Sequence, residues 1–266
     1  MAGAGESPRT VVRIALKACN EVIEAEIRVP AAAIRPVDLL PILMSFDDAV
    51  VGAFEKDSIQ QGKPITCTKG CGACCRQLVP ISEVEAQYLA ELVAEMPPER
   101  RNRVETRFRQ ACGELDRRGI TKRLQRSAEL ASPEERRRLA LDYFACGVAC
   151  PFLERESCSI HRDRPLICRE HNVTSPPERC ADPSQQDICG IEIRTPFSQV
   201  IRPFADGVGN RPNVCMPLVW ALNWASQPSA PMPRVPGPQM LANYLQLVRQ
   251  AGAVDDATDC RSGFPA

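Results

Sequence analysis

The sequence predicts a mainly α-helical protein in which an irregular, cysteine-rich metal-binding core is held between helices. Three observations carry this expectation. Apolar residues recur at helical spacing over most of the stretches long enough to show a period. Proline and glycine punctuate the chain between those stretches, 24 and 15 of them in 266 residues, and so isolate loops. Cysteine, 14 in all, concentrates in two of the loops instead of following the helical period.

The chain opens with a short polar tail, residues 1–8. Thr10–Ala18, "TVVRIALKA", is rich in β-branched residues, and Glu21–Val29 is spaced to pair with it, so a short N-terminal β-hairpin is expected. Pro30, Pro36 and Pro41 then break the extended pattern. From Val37 to about Gln61, Leu39, Leu40, Leu43, Phe46, Val50, Val51 and Phe54 mark one face of a helix that ends near Gly62 and Pro64. Ser82, followed three residues later by Glu85, forms a capping-box pattern that starts a helix running to Met96, where Pro97 and Pro98 stop it. Val104, Phe108, Cys112 and Leu115 lie on one face of a further helix, and Ser132 with Glu135 starts another. Beyond Cys168 the chain reads as loop through Pro183, with helices expected near Met216–Trp224 and Gln239–Gln250. "SQPSAPMPRVPGP" between these two helices is a Pro-rich connector. Three segments follow: 1–62, strand and helix; 63–195, the cysteine-cluster metal-binding part; and 196–266, a C-terminal helical extension with the Pro-rich connector.

The chemistry concentrates in Thr66–Gln77, "TCTKGCGACCRQ". Cys67, Cys71, Cys74 and Cys75 fall within nine residues, flanked by Gly70, Gly72, Lys69 and Arg76. Cysteine is a common core residue, but a core stretch would set it among Val, Ile and Leu. Thiolates converging from one glycine-bearing loop suit a soft metal ion or an iron–sulfur cluster. A second group follows in "ACPFLERESCSIHRDRPLICREHN", with Cys150, Cys158 and Cys168 at spacings of seven and nine intervening residues. Cys146, Cys180, Cys189 and Cys215 are further candidate ligands. The chain's two histidines, His161 and His171, each stand three residues after a cysteine, a workable ligand spacing. Arg164 and Arg169 are placed to neutralise a negatively charged thiolate centre from outside it. Cys19 and Cys112 read as core, and Cys260 as an idle tail residue.

Composition narrows the partners. Lys and Arg balance Asp and Glu at 33 each, so no global charge draws the chain to nucleic acid or to an acidic membrane. Aromatics at 5% argue against a stacking surface for single strands. The arginine runs of residues 99–142 are interleaved with Glu and Asp, the pattern of a solvated helix face. No run of 18 apolar residues and no apolar stretch of signal-peptide type appears, so a cytoplasmic protein with reduced thiols is expected. A protein partner or a protein substrate fits this composition better than nucleic acid or membrane.

Cys67-x3-Cys71-x2-Cys74-Cys75 followed by Cys150-Pro151-Phe152-Leu153, Cys158-x-Ile160, Arg164-Pro165 and Cys168-Arg169 resembles a bacterial cysteine-cluster family of zinc- or iron-chelating domains. That family also includes flagellin lysine N-methylase. The resemblance covers roughly residues 64–172, and it departs at His161, where the family usually has tyrosine. It implies that Cys67, Cys71, Cys74, Cys75, Cys150, Cys158 and Cys168 gather at one centre or at two close ones. Neighbouring side chains such as those of Cys74 and Cys75 point apart in an extended chain, so a tight turn is needed to bring both to one ion. Seven thiolates exceed what one four-coordinate zinc or one cubane cluster takes, which leaves either two centres or spare thiols.

The expected function is therefore metal binding through thiolates from two loops, with a [4Fe–4S] cluster or zinc as the group held. The resemblance also brings an enzymatic alternative, an iron–sulfur-dependent protein lysine N-methyltransferase using S-adenosylmethionine, although no Gly-rich strand-to-helix turn of Rossmann type is present. A third reading, a non-standard radical S-adenosylmethionine enzyme, rests on the Cys67–Cys71–Cys74 spacing. It is weakened by Ala73, where that motif usually has an aromatic, and by the lack of a repeating strand–helix pattern downstream.

Overall fold

A computed structural model describes residues 8–19, 21–127, 132–184, 188–194, 196–208, 215–228 and 231–252. The first seven residues of the polar tail, and Cys260, lie outside the described residues. Strands β1 (Arg9–Ala18) and β2 (Glu21–Pro30) form the expected antiparallel hairpin, with Arg9 opposite Pro30 and Ala18 opposite Glu21. Cys19 sits in its turn with a left-handed φ of 52°, half-buried against the core and not inside it. A two-residue strand, β3 (Ala33–Ile34), leads into α1 (Pro36–Gln60), whose bounds match the apolar period within a residue. Arg35 pins the start of α1, pairing with Asp38 at 2.6 Å and with Glu91 of the next helix at 2.7 Å.

The first cysteine loop follows α1 and ends at β4 (Pro80–Ile81). The next helix, α2 (Glu83–Ala94), starts on the predicted capping box: Ser82 Oγ accepts from Glu85 N at 3.2 Å, and Glu85 Oε2 accepts from Ser82 N at 2.9 Å. Then come α3 (Pro98–Arg117), α4 (Thr121–Gln125) and α5 (Pro133–Ala145), the last again on a capping box, Ser132 with Glu135. Cys112 on α3 is only partly buried, and its thiol meets Val219 O at 3.2 Å. The second cysteine loop carries the hairpin β5 (Leu153–Glu154) and β6 (Ser157–Cys158), then α6 (Leu166–Glu170). The C-terminal part consists of α7 (Phe197–Val208), β7 (Met216–Pro217), α8 (Ala221–Ala225), β8 (Val235–Pro236) and α9 (Gly237–Gly252).

One expectation needs correcting here. The helix placed over Met216–Trp224 is instead strand β7, a 3-10 turn at Leu218–Trp220 and the short α8. Met216–Pro217 is taken into pairing with β4, Pro80 facing Pro217 and Ile81 facing Met216, and that pairing outweighs helical propensity. Within the Pro-rich connector, Val235–Pro236 is extended and pairs with Ala33–Ile34. Gly237 allows this junction: a Cβ there would collide with Pro30 O, so only glycine permits α9 to start against the end of β2.

Three apolar clusters hold the elements. The first gathers the hairpin, α1, α7 and α9, with Phe197 meeting Phe46 edge-on at 5.4 Å and Tyr244 at 5.6 Å. Segments far apart in sequence, before residue 62 and after residue 196, thus share one core. The second cluster joins α2 and α3 to Phe152, Ile160, Met216 and Leu218, and Cys150, Cys158 and Cys168 rest against it. The third joins Leu115, Leu124, Leu139, Tyr143 and Val219, and includes Cys146. Among the described residues, no helix is long and apolar enough to cross a membrane.

Candidate metal centre

The two cysteine loops meet through main chain. Cys150 N donates to Cys75 O at 2.7 Å, so the second loop begins on the backbone of the first. A third segment closes over them: Thr66 N donates to Val173 O at 2.8 Å, Val173 N donates to Cys67 Sγ at 3.3 Å, and Gln77 Nε2 donates to Cys180 O at 2.9 Å. Cys180 belongs to a 3-10 turn, Pro177–Ala181, that packs on the 3-10 turn Ala73–Arg76 carrying Cys74 and Cys75.

Local geometry explains how four thiols fit into nine residues. Cys71 N bonds to Thr68 O at 3.0 Å and Cys75 N to Gly72 O at 3.1 Å, two successive tight turns. Gly70 stands at φ 96°, a conformation a side chain resists. Gly72 lies against the β5–β6 hairpin, where an added Cβ would be 2.7 Å from Leu153 Cδ1. Arg76 closes this seam, with Nη2 on Glu156 Oε1 at 2.7 Å, Nη1 on Glu156 Oε2 at 2.9 Å and on Gly72 O at 3.0 Å.

The hairpin and α6 present the second set of thiols. Arg169, 3% exposed, holds the intervening turn by donating to Arg164 O at 2.9 Å and to Arg162 O, and it pairs with Asp48 of α1 at 2.6 Å. Glu85, buried at the start of α2, accepts from Leu166 N at 3.0 Å, so one carboxylate caps both α2 and the helix that carries Cys168.

The thiols share one electrostatic neighbourhood. A hydrogen bond from Cys75, with help from the Arg164 charge, brings Cys74 down to about 7 against the burial that opposes it. The same bond pushes Cys75 up, as do burial and the nearby Cys150 and Cys158. Burial first, then neighbouring thiolates, raises Cys150 to about 12, Cys180 to about 11, and Cys168 well above the ordinary thiol range. Cys67 and Cys158 are raised by burial and eased by Arg164.

The loops that carry Cys67, Cys71, Cys74, Cys75, Cys150, Cys158 and Cys168 thus lie within electrostatic reach of one another, and Cys180 lies within reach of Cys67, Cys71 and Cys74. Cys146 is elsewhere, buried in the third core with its thiol on Asp142 O at 3.2 Å. Cys215 is half-buried, and its thiol is raised by burial and eased by Arg202. Cys189 is exposed and braces the closing segment through its backbone, accepting from Thr174 N at 2.8 Å. His161 Nε2 lies 3.0 Å from Arg164 Nη1, and that cation depresses its pKa. His171 is deeply buried, and burial lowers it to about 4, so it is a neutral imidazole. Sequence reasoning gave Cys180 no more weight than Cys146, since both lie just outside the motifs; tertiary packing separates them.

Among the described residues, no three Cys, His, Asp or Glu side chains converge as a preformed ion site. What fits a metal is the donor chemistry: soft sulfur donors from three segments, partly shielded from water, with a cation beside them. No curated protein and no solved structure matches the chain. A family model, CxxCxxCC, described as "Putative zinc- or iron-chelating domain", matches residues 66–190, the stretch that supplies the clustered thiols. In residues 66–190, therefore, the chain is similar to the CxxCxxCC family.

Proposed function

We propose that this protein is a thiolate metal-binding module, holding zinc or an iron–sulfur cluster with Cys67, Cys71, Cys74, Cys75, Cys150, Cys158 and Cys168. The observation that carries this reading is the meeting of two cysteine loops, joined backbone to backbone from Cys150 to Cys75, under the charge of Arg164. A metal there would cross-link segments otherwise held by a few hydrogen bonds, and its binding energy would act as folding energy. Arg164 would lower the cost of gathering negative thiolates, and Arg169 would fix the turn that carries Arg164.

Cys71→Ser and Cys158→Ser test the reading, with metal content and melting temperature measured on the same samples. Both should fall together in each variant. A variant that keeps full metal and full thermal stability removes its cysteine from the ligand set, and that result in both removes the reading. S-adenosylmethionine titrated into the metal-loaded protein tests the methyl-transfer alternative, which requires binding heat.

A further inference from the structure

The turn of the β5–β6 hairpin is built from residues that resist its shape. Leu153 faces Cys158 and Glu154 faces Ser157, so Arg155 and Glu156 alone make the loop, at φ 49° and 56°. Two-residue loops with two left-handed positions favour asparagine, aspartate and glycine, because a larger side chain crowds its own backbone there. A ladder of two facing pairs is too short to hold such a turn by itself. The base of the hairpin is fixed by the wholly buried Phe152, by Arg107 on Glu154 at 2.9 Å and by Arg100 on Ser159 O at 2.9 Å. Its tip is held from across the seam, where the Arg76 guanidinium donates to both carboxylate oxygens of Glu156 and to Gly72 O. That one side chain joins the first loop, between Cys71 and Cys74, to the second, two residues before Cys158. The Arg76 and Glu156 side chains are 37% and 53% exposed, so water and salt reach the grip.

We propose that the Arg155–Glu156 tip is a sprung latch over the seam between the two cysteine loops. Arg76 holds it shut; when the pair parts, the turn relaxes, the tip lifts and the seam opens at Cys158. Glu156 is the catch, and a two-pronged Arg–carboxylate contact is the kind of exposed ion pair with geometry enough to hold. Arg155, exposed and at φ 49°, is the spring. Opening stays at the tip because Phe152 and Ile160, on either side of the hairpin, are anchored in the second apolar core. The inference rests on the metal-binding reading for its consequence, that metal enters and leaves through this seam. The latch itself rests on the backbone angles and the Arg76 contacts.

The test is alkylation of the reduced, metal-free full chain by iodoacetamide, with Cys158 and Cys146 followed by peptide mass spectrometry. Cys146, buried in the third core, reports general loosening. Glu156→Gln and Arg76→Gln change the local charge in opposite senses, yet each releases the catch. Both should speed labelling of Cys158 about two- to five-fold and leave Cys146 unchanged. Arg155→Asn, with a residue that tolerates the left-handed region, should slow Cys158 about five-fold. Arg155→Gln removes the same charge without easing the turn and should label as the parent does. Zinc transfer from the loaded chain to a chromophoric chelator should follow the same order, slowest in Arg155→Asn and fastest in the two catch variants. Cys158 labelling that is equal in all the proteins, that moves oppositely in Glu156→Gln and Arg76→Gln, or that rises together with Cys146 overturns the latch. Labelling in the expected order with zinc release the same throughout overturns the seam as the route of exchange. A chain that takes up no metal removes the metal-binding reading, and the labelling order still decides the latch.

Discussion

Replacing Gly72 by alanine should loosen the seat of the first cysteine loop on the second. A Cβ at Gly72 would stand 2.7 Å from Leu153 Cδ1, 2.8 Å from Glu156 Oε2 and 3.2 Å from Glu156 Cα. The leucine methyl can swing away, but Glu156 is anchored by Arg76, and its Cα is main chain. Backbone strain at residue 72 is not the cause, since φ −97° and ψ 12° are open to alanine. Overpacking of this kind costs about 1–3 kcal/mol. The stiffer unfolded chain offsets about 0.4–1 kcal/mol of that, so the net loss is about 1–2 kcal/mol, roughly five- to thirty-fold in the folded-to-unfolded ratio. Gly113→Ala is the control: it lies inside α3 with nothing within 4 Å of its added Cβ and should gain about 0.5–1 kcal/mol. Urea unfolding with a chelator competition for zinc reads both. Gly72→Ala should lower the midpoint and weaken metal retention, and Gly113→Ala should raise the midpoint and leave retention alone. A Gly72→Ala protein as stable and as metal-retentive as the parent would refute the idea that this close approach seats the loops.

Asp47 lies wholly buried in α1 beside Glu170, and burial first, then that neighbouring carboxyl, raises its pKa well above the ordinary carboxyl value. An acid raised on folding destabilises the protein as pH climbs past its unfolded pKa, by up to about 1.4 kcal/mol per pH unit. Asp47→Asn should therefore gain on the parent as pH rises above the unfolded carboxyl pKa of about 4 in thermal melts at saturating metal; a pH-independent difference would mean that Asp47 does not titrate with folding. Glu85→Ala strips acceptors from the buried N–H groups of Ser82 and Leu166, about 1–3 kcal/mol each, and should also weaken metal retention by freeing the helix that carries Cys168. Unchanged retention in a destabilised variant would separate Glu85 from the site. Cys146→Ser and Cys112→Ser should leave metal content unaltered, since both thiols bond to carbonyls away from the cluster; elemental analysis showing loss would place them among the ligands.

Local signals were readable from the chain. The apolar period gave α1 nearly to the residue, and the Ser82–Glu85 and Ser132–Glu135 pairs marked where α2 and α5 begin. The β-branched runs gave the hairpin. What escaped is what depends on distant partners. The pairs of β3 with β8 and β4 with β7 are two residues long and join segments far apart in sequence, too short for any period. The five-residue α6 is likewise below the length at which a helical face shows, and α7 follows a proline-rich stretch that reads as loop. In the site, the motifs point to seven thiols, because their spacing is local. The approach of Cys180 and the shared cap at Glu85 are products of packing, with no sequence signature of their own.

The most direct measurement is elemental analysis and a UV–visible spectrum on one anaerobically purified sample of the full chain. The account predicts stoichiometric zinc in a colourless protein, or iron with the broad visible absorption of a cluster, in either case released as the thiols are blocked. A folded chain that carries neither metal, and takes up neither when reduced and supplied with it, would contradict it.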